Sequence, residues 1–131
     1  MYLVDTSVWV EVFSRGTALK LDSILDLEEV VACPPVIQEV LQGFRDESAF
    51  RIALDSLTSF PVVEAPMPLD TYLEAADLYR AARRAGLTVR SSVDCLIAAC
   101  ALRHGLTVLH KDRDYDVLVR VSALKARNAG S

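Results

Sequence analysis

The hydrophobic pattern of the chain changes period at Asp5. Tyr2, Leu3 and Val4 form a short apolar run that predicts a buried strand, and Asp5 ends it. Val8, Trp9, Val12 and Phe13 then recur at i, i+1, i+4 and i+5, which is one face of a short helix with Glu11 off the stripe. Ser14, Arg15 and Gly16 break it. Leu21, Ile24, Leu25 and Leu27 predict a second helix over 19–27. The β-branched run VVAC (30–33) predicts a strand, ended by Pro34 and Pro35. Pro35 suits the first turn of the next helix, where a missing N–H costs nothing. Val36, Ile37, Val40, Leu41 and Phe44 form the stripe of that helix, and Glu39 sits beside it.

The second half repeats the alternation. A helix is expected over 48–60, then a short strand in FPVVEA, weakened by Pro61. Helices over 69–85 and 92–104 are each closed by a glycine, Gly86 and Gly105. LTVLH (106–110) predicts a strand, Asp112 begins a last helix running to Val119, and the remaining residues read as frayed. Strands alternating with helices indicate an α/β fold with a parallel sheet. Ligands of such sheets bind outside the carboxyl ends of the strands. Asp5 and Asp112 both follow strands and therefore belong on that edge.

Composition narrows the class. The 131 residues suit one domain over 1–131, and 52% hydrophobic content excludes disorder. No apolar run approaches the ~18–20 residues of a membrane span, and no signal-peptide pattern opens the chain, so a cytoplasmic protein is expected. Cys33, Cys95 and Cys100 are odd in number, lack CxxC spacing and lie in apolar runs, which predicts buried thiols. A net charge of −4 argues against nucleic-acid binding by bulk charge and leaves local patches and bound metal as the routes to it.

The acids carry the candidate chemistry. From Cys95 to Leu102 every residue is apolar, so that helix is expected to be buried, with Asp94 the one acid, in its first turn. Ser91 and Asp94 have capping-box spacing, which is the structural account of this aspartate. The functional account uses the same physics. A helix N-terminus favours the ionised carboxylate by ~0.3–1 kcal/mol, and a hard cation requires that form. Glu39 alone is a solvated glutamate, and KDRDYD (111–116) alone is a turn with an acidic helix start. Together, four carboxylates from four segments can converge on one edge. At ~6 Å without a cation each pair repels by roughly 3 kcal/mol at an effective dielectric of 20. No histidine or cysteine cluster accompanies them, so the donor set fits magnesium or manganese. Phosphodiester hydrolysis is the natural reaction class.

The segments VDTSVWVEVF, PPVIQEVLQG, TVRSSVDCLIAACALRHG and LTVLHKDRDYD, in this order, resemble the PIN-domain ribonucleases, most closely the VapC-type toxins of bacterial toxin–antitoxin pairs. The resemblance spans nearly the whole chain. It implies a three-layer α/β sandwich, a parallel central sheet with helices on both faces. It also implies a magnesium- or manganese-dependent endoribonuclease acting on tRNA or other structured RNA. The family's acidic quartet falls on Asp5, Glu39, Asp94 and Asp112. Asp114 is a further candidate, because the DRDY stretch lets the last aspartate fall on either position; Asp116 is a weaker one. By the resemblance Asp5, Asp94 and Asp112 would hold metal, Glu39 would bind metal or position water, and the hydroxyls of Thr6 and Ser7 would hydrogen-bond around the site. Members are usually homodimers inhibited by a small antitoxin.

Arg90, Lys111 and Arg113 adjoin these acids and are the candidates for steering phosphates, and Arg80, Arg83 and Arg84 share a helix face that reads equally as solvated. Trp9 and Phe13 read as core, with a groove for the antitoxin as the alternative. Low aromatic content, 7%, argues against extensive base stacking. A haloacid-dehalogenase-like phosphatase needs a second aspartate at position 7, where Ser7 stands. A receiver domain wants an acidic pair after the first strand. None of the five glycines has dinucleotide-binding spacing. A non-catalytic PIN-like binding module and a housekeeping RNA-processing nuclease remain as alternatives to the toxin.

Overall fold

Four short strands pair side by side in the order β2-β1-β3-β4, all parallel: β1 (Tyr2–Val4), β2 (Val30–Val31), β3 (Thr107–His110) and β4 (Lys125–Asn128). The computed structural model describes residues 1–16 and 19–130. Six helices flank the sheet: α1 (Thr6–Val12), α2 (Pro34–Leu41), α3 (Glu47–Thr58), α4 (Leu69–Arg84), α5 (Ser92–His104) and α6 (Asp114–Val121).

The register sets the site. Leu3 stands opposite Val31 on one side and Val108 on the other, and Val4 opposite Leu109. The Asp5 N–H donates to the Leu109 carbonyl at 2.9 Å, so the ends of β1 and β3 lie side by side and release Asp5 and residues 111–114 at one edge. Leu3, Val4, Val108 and Leu109 are fully buried. Strands covered on both faces read as continuous apolar runs rather than alternating ones.

Helix α5 is the buried helix its composition predicts, with Ile97 to Ala101 fully enclosed. Gly105 closes it in the left-handed region at φ 63°, where a β-carbon is disfavoured. The three cysteines are free and buried, as expected. Trp9 is 2% exposed and stacks on Phe13 at 5.7 Å between ring centroids, with Phe60 also at 5.7 Å, so this aromatic stripe is core. A cleft of about 220 Å³ beside it is lined by Trp9, Phe13 and Phe60 among others.

Three expectations are corrected. The helix expected over 19–27 is two 3-10 turns, Leu21–Ser23 and Leu27–Glu29. Ser23 Oγ bonds back to the Lys20 carbonyl at 2.6 Å, and the Asp26 side chain accepts from Glu28 N at 3.0 Å, so short polar side chains compete with the helix for the backbone. The apolar pattern was that of burial: Leu21 and Leu25 are enclosed without a continuous helix. FPVVEA gives only a bridge between Ala32 and Val62. The chain then turns at Glu64, φ 60°, whose carboxylate is held by the Thr71 hydroxyl, by His104 Nε2 at 3.0 Å and by Arg103 Nε at 3.0 Å. The terminus is not frayed. Residues 125–128 form β4, paired along the whole of β3, although KARN has no strand pattern of its own. The open edge of β3 supplies the hydrogen-bonding partner that defines it.

Candidate active site

Asp5 has extended backbone, φ −71° and ψ 157°, and caps α1. Its Oδ2 accepts from Ser7 N at 3.0 Å and from Ser7 Oγ at 2.5 Å. Ser7 Oγ in turn accepts from Lys111 N at 2.9 Å, joining the end of β1 to the end of β3. The other oxygen, Oδ1, accepts from the Tyr115 phenol at 2.6 Å. Capping and site-building are therefore one arrangement.

Asp94 enters from the first turn of α5 and is 5% exposed. Its carboxyl is pushed up to about 9, first by burial, then by the charge of Asp5 and by contacts with Asp112 and Asp114. Its Oδ2 is buried without a hydrogen-bond partner among the described residues. Ser91 is the residue before α5, as expected, but its hydroxyl makes no capping bond and the capping box does not form. Asp114 takes over that end of the helix. Its Oδ2 accepts from Arg90 N at 3.1 Å and Ser91 N at 3.0 Å, and Arg90 Nε stands 3.7 Å from its Oδ1.

Asp112 accepts from Asp114 N at 2.9 Å and is partly exposed. One oxygen each of Asp94, Asp112 and Asp114 lies within 4.8 Å of the others. Glu39, on the flank of α2, accepts from the Thr6 hydroxyl at 2.8 Å. Its carboxyl is raised above the usual value by burial, against the lowering effect of Thr6, with Asp5 and Asp112 adding repulsion. All five candidate acids thus belong to one neighbourhood. Within it Asp94, Asp112 and Asp114 form the tight group, and Asp5 stands behind them, linked through Tyr115.

Two neighbours escaped the sequence reading. His110 is 1% exposed, and its Nδ1 accepts from Asp112 N at 3.2 Å, which leaves Nε2 to carry the proton of the neutral ring. Burial holds it below the usual imidazole value. Tyr115 is fully buried, with its ring centroid 5.0 Å from that of His110 and its phenol 3.5 Å from Asp94 Oδ1. Both read as strand and helix core in the sequence. Only their position directly beside the acids signalled otherwise.

The cations sort into two groups. Arg90, Lys111 and Arg113 share with Asp112, Asp116 and Asn128 a cleft of about 630 Å³. Lys111 Nζ is tied to Glu11 at 2.7 Å, so its charge is partly engaged. Arg80 pairs with Asp77 at 3.5 Å and Arg83 lies 5.1 Å over the Tyr79 ring. They line a separate cleft on α4 that none of the five acids reaches.

The donor set is wholly oxygen, and one of its members, Asp94, carries a buried carboxylate oxygen without a partner among the described residues. These residues fit a hard divalent cation. Asp94, Asp112 and Asp114 are the nearest set, and Asp5 has an acceptor position left on Oδ1.

A parallel sheet with carboxylates gathered where its two central strands end defines an α/β domain whose site donors are all oxygen. The chain belongs to the PIN domain family, which matches residues 2–121. It is 41% identical to ribonuclease VapC11 of Mycobacterium tuberculosis over 132 aligned residues, covering 96% of this chain and 97% of that one. It is 26% identical to ribonuclease VapC51 of the same organism over 92% of this chain and 87% of that one. Among solved structures, VapBC2 from Rickettsia felis bound to a promoter DNA fragment superposes with TM-score 0.75 at 16% identity, covering 97% of each chain. VapBC-5 from Mycobacterium tuberculosis gives TM-score 0.70 at 21% identity, again over 97% of each. At these identities the superpositions establish the fold.

Proposed function

We propose that this chain is a divalent-metal-dependent endoribonuclease, the toxin of a toxin–antitoxin pair, folded as one PIN domain over 1–131. The observation that carries the proposal is the unpartnered, buried Oδ2 of Asp94 beside Asp112 and Asp114. An isolated buried carboxylate of this kind is costly, and a cation removes the cost. Kinship with proteins named ribonuclease supports the choice of RNA as substrate.

Asp94 and Asp112 are the principal candidates to hold magnesium or manganese. Asp5 contributes its remaining Oδ1 position, and Asp114 either joins them or fixes the loop that presents Asp112. The bound cation supplies an activated water and neutralises charge on the phosphoryl oxygen. In this proposal Glu39 positions the attacking water and accepts its proton, a role supported by its bond from Thr6 and its raised carboxyl. Ser7 keeps Asp5 oriented. Arg90, Lys111 and Arg113 bind backbone phosphates in the adjoining cleft, which favours tRNA or another structured RNA over a small substrate.

The partners follow from kinship. The neighbour VapBC-5 is a member of the VapBC family of toxin–antitoxin systems. A small antitoxin is proposed here on that basis, and a homodimer on the resemblance to the VapC-type toxins. No described helix is long and apolar enough to cross a membrane, and a cytoplasmic location is proposed.

The deciding experiment is cleavage of an RNA pool with magnesium or manganese against excess chelator, with Asp94→Asn alongside. Metal-dependent cleavage lost in the variant supports the nuclease and its site. Cleavage surviving both treatments sinks the carboxylate mechanism. Tight RNA binding without cleavage at any metal concentration favours a non-catalytic module.

A further inference from the structure

Tyr115 is the fully enclosed side chain at the centre of the acidic site, and none of the roles assigned so far uses it. Its phenol oxygen is 2.6 Å from Asp5 Oδ1 and 3.5 Å from Asp94 Oδ1. A carboxylate offers about four acceptor positions. In Asp5, Ser7 N and Ser7 Oγ take both positions on Oδ2, and the phenol takes one on Oδ1. One position remains, and the phenol dictates where it points.

We propose that Tyr115 is a positioning residue for the cation site, bridging Asp5 to Asp94 so that both carboxylates stand in binding geometry before a cation arrives. This rests on the metal-site reading above. The physical case has three parts. First, the phenol is a single donor that holds Asp5 Oδ1 at 2.6 Å and stands 3.5 Å from Asp94 Oδ1, so it ties the two carboxyl groups together while the site is empty of cation. Second, it cannot turn to water instead, because Tyr115 is completely buried and its ring is packed against His110 at 5.0 Å. Third, its anchor is rigid. Tyr115 lies in the first turn of α6, next to Asp114, whose carboxylate is clamped to Arg90 N and Ser91 N. The same turn therefore fixes Asp114 on its outer side and Asp5 and Asp94 on its inner side. Hydrogen-bond partners of metal-binding groups commonly govern affinity in this way.

Tyr115→Phe removes the bridge and keeps the ring. Calorimetric titration with manganese is the test, together with unfolding of the metal-free protein. The dissociation constant for manganese is expected to rise by about tenfold or more, while the metal-free variant still unfolds in one cooperative transition. Turnover of RNA falls and KM for RNA is retained, because the phosphate-binding cations are untouched. A manganese dissociation constant within about twofold of wild type overturns the inference. A purely packing role for Tyr115 predicts that result with lower stability. If Tyr115→Phe does not fold, native-sequence protein labelled with 3-fluorotyrosine decides the matter. Magnesium must move the Tyr115 fluorine resonance and leave that of Tyr72, half-exposed on α4, in place; equal or absent shifts overturn the inference. Wild-type protein that takes up no manganese overturns the metal reading and this inference together. Wild-type binding matched by the variant overturns this inference alone.

Discussion

Ser7 and Lys111 lie at opposite ends of the chain and meet in one hydrogen bond, Lys111 N to Ser7 Oγ at 2.9 Å. The same hydroxyl donates to Asp5 at 2.5 Å. It therefore couples the first turn of α1 to the loop after β3 and fixes the Asp5 carboxylate beside them. Ser7→Ala is expected to cost about 1 kcal/mol of stability and to lower turnover more than KM. Urea unfolding with steady-state cleavage checks this; a variant equal to wild type in both assigns the hydroxyl no role.

Asp94 gives a pH signature. Its carboxyl rises from the ordinary value of 3.8 to about 9 in the metal-free fold, chiefly by burial. Between those values the folded chain keeps a proton that the unfolded chain releases, so stability is greatest at the acid end and falls as pH rises towards 9. In chelator, the unfolding midpoint is expected to fall across this window apart from the contributions of other groups. Asp94→Asn flattens that fall, and manganese opposes it by stabilising the ionised form. An Asp94→Asn profile that parallels wild type throughout would show that Asp94 does not titrate in this window.

Asp112 and Asp114 are separable. Asp114 accepts two backbone N–H bonds ahead of α5 and is 2% exposed, so Asp114→Ala is expected to cost about 1.5–3 kcal/mol of stability. Asp112 is partly exposed and makes fewer bonds, so Asp112→Asn should abolish cleavage at nearly native stability. Thermal unfolding beside single-turnover cleavage distinguishes them. The reverse pattern would make Asp114 the principal ligand and Asp112 the clamp.

The cleft beside Asp112 should be read by salt. Arg113→Glu is expected to raise KM for RNA, leave turnover close to native and reduce the salt slope of binding by about one or two. Arg80→Glu, on the separate α4 cleft, should change none of these. Filter binding over a range of ionic strength is sufficient. Equal effects of both substitutions would move the RNA path onto α4.

Much of this was legible because local chemistry and global fold agree. The run before Asp5 read as a short buried strand and the run through Leu109 as a strand, and both are. The apolar stretch from Cys95 could only be an enclosed helix. Placing Asp5 and Asp112 on one edge required no more than strand polarity and the rule that such sheets bind ligands at their carboxyl ends, and Asp94 joined them through the family resemblance. Glu39 was less visible, because a glutamate beside a helical stripe is usually solvated. Its tie to Thr6 appears only once α1 and α2 are side by side.

The sequence by itself determined the α/β alternation, the buried strands and α5, the buried thiols and the oxygen-only character of the site, since each is written in local periodicity or residue type. Tertiary structure decided the rest. It made KARN a strand because β3 had an unpaired edge, and it enclosed Leu21 and Leu25 without a continuous helix between them. It divided the aspartates between clamp and open cluster, and it carried a helix tyrosine into the centre of the acids. A hydrogen bond between residues far apart in the chain leaves no periodic trace, so only the packed fold reveals which groups share it.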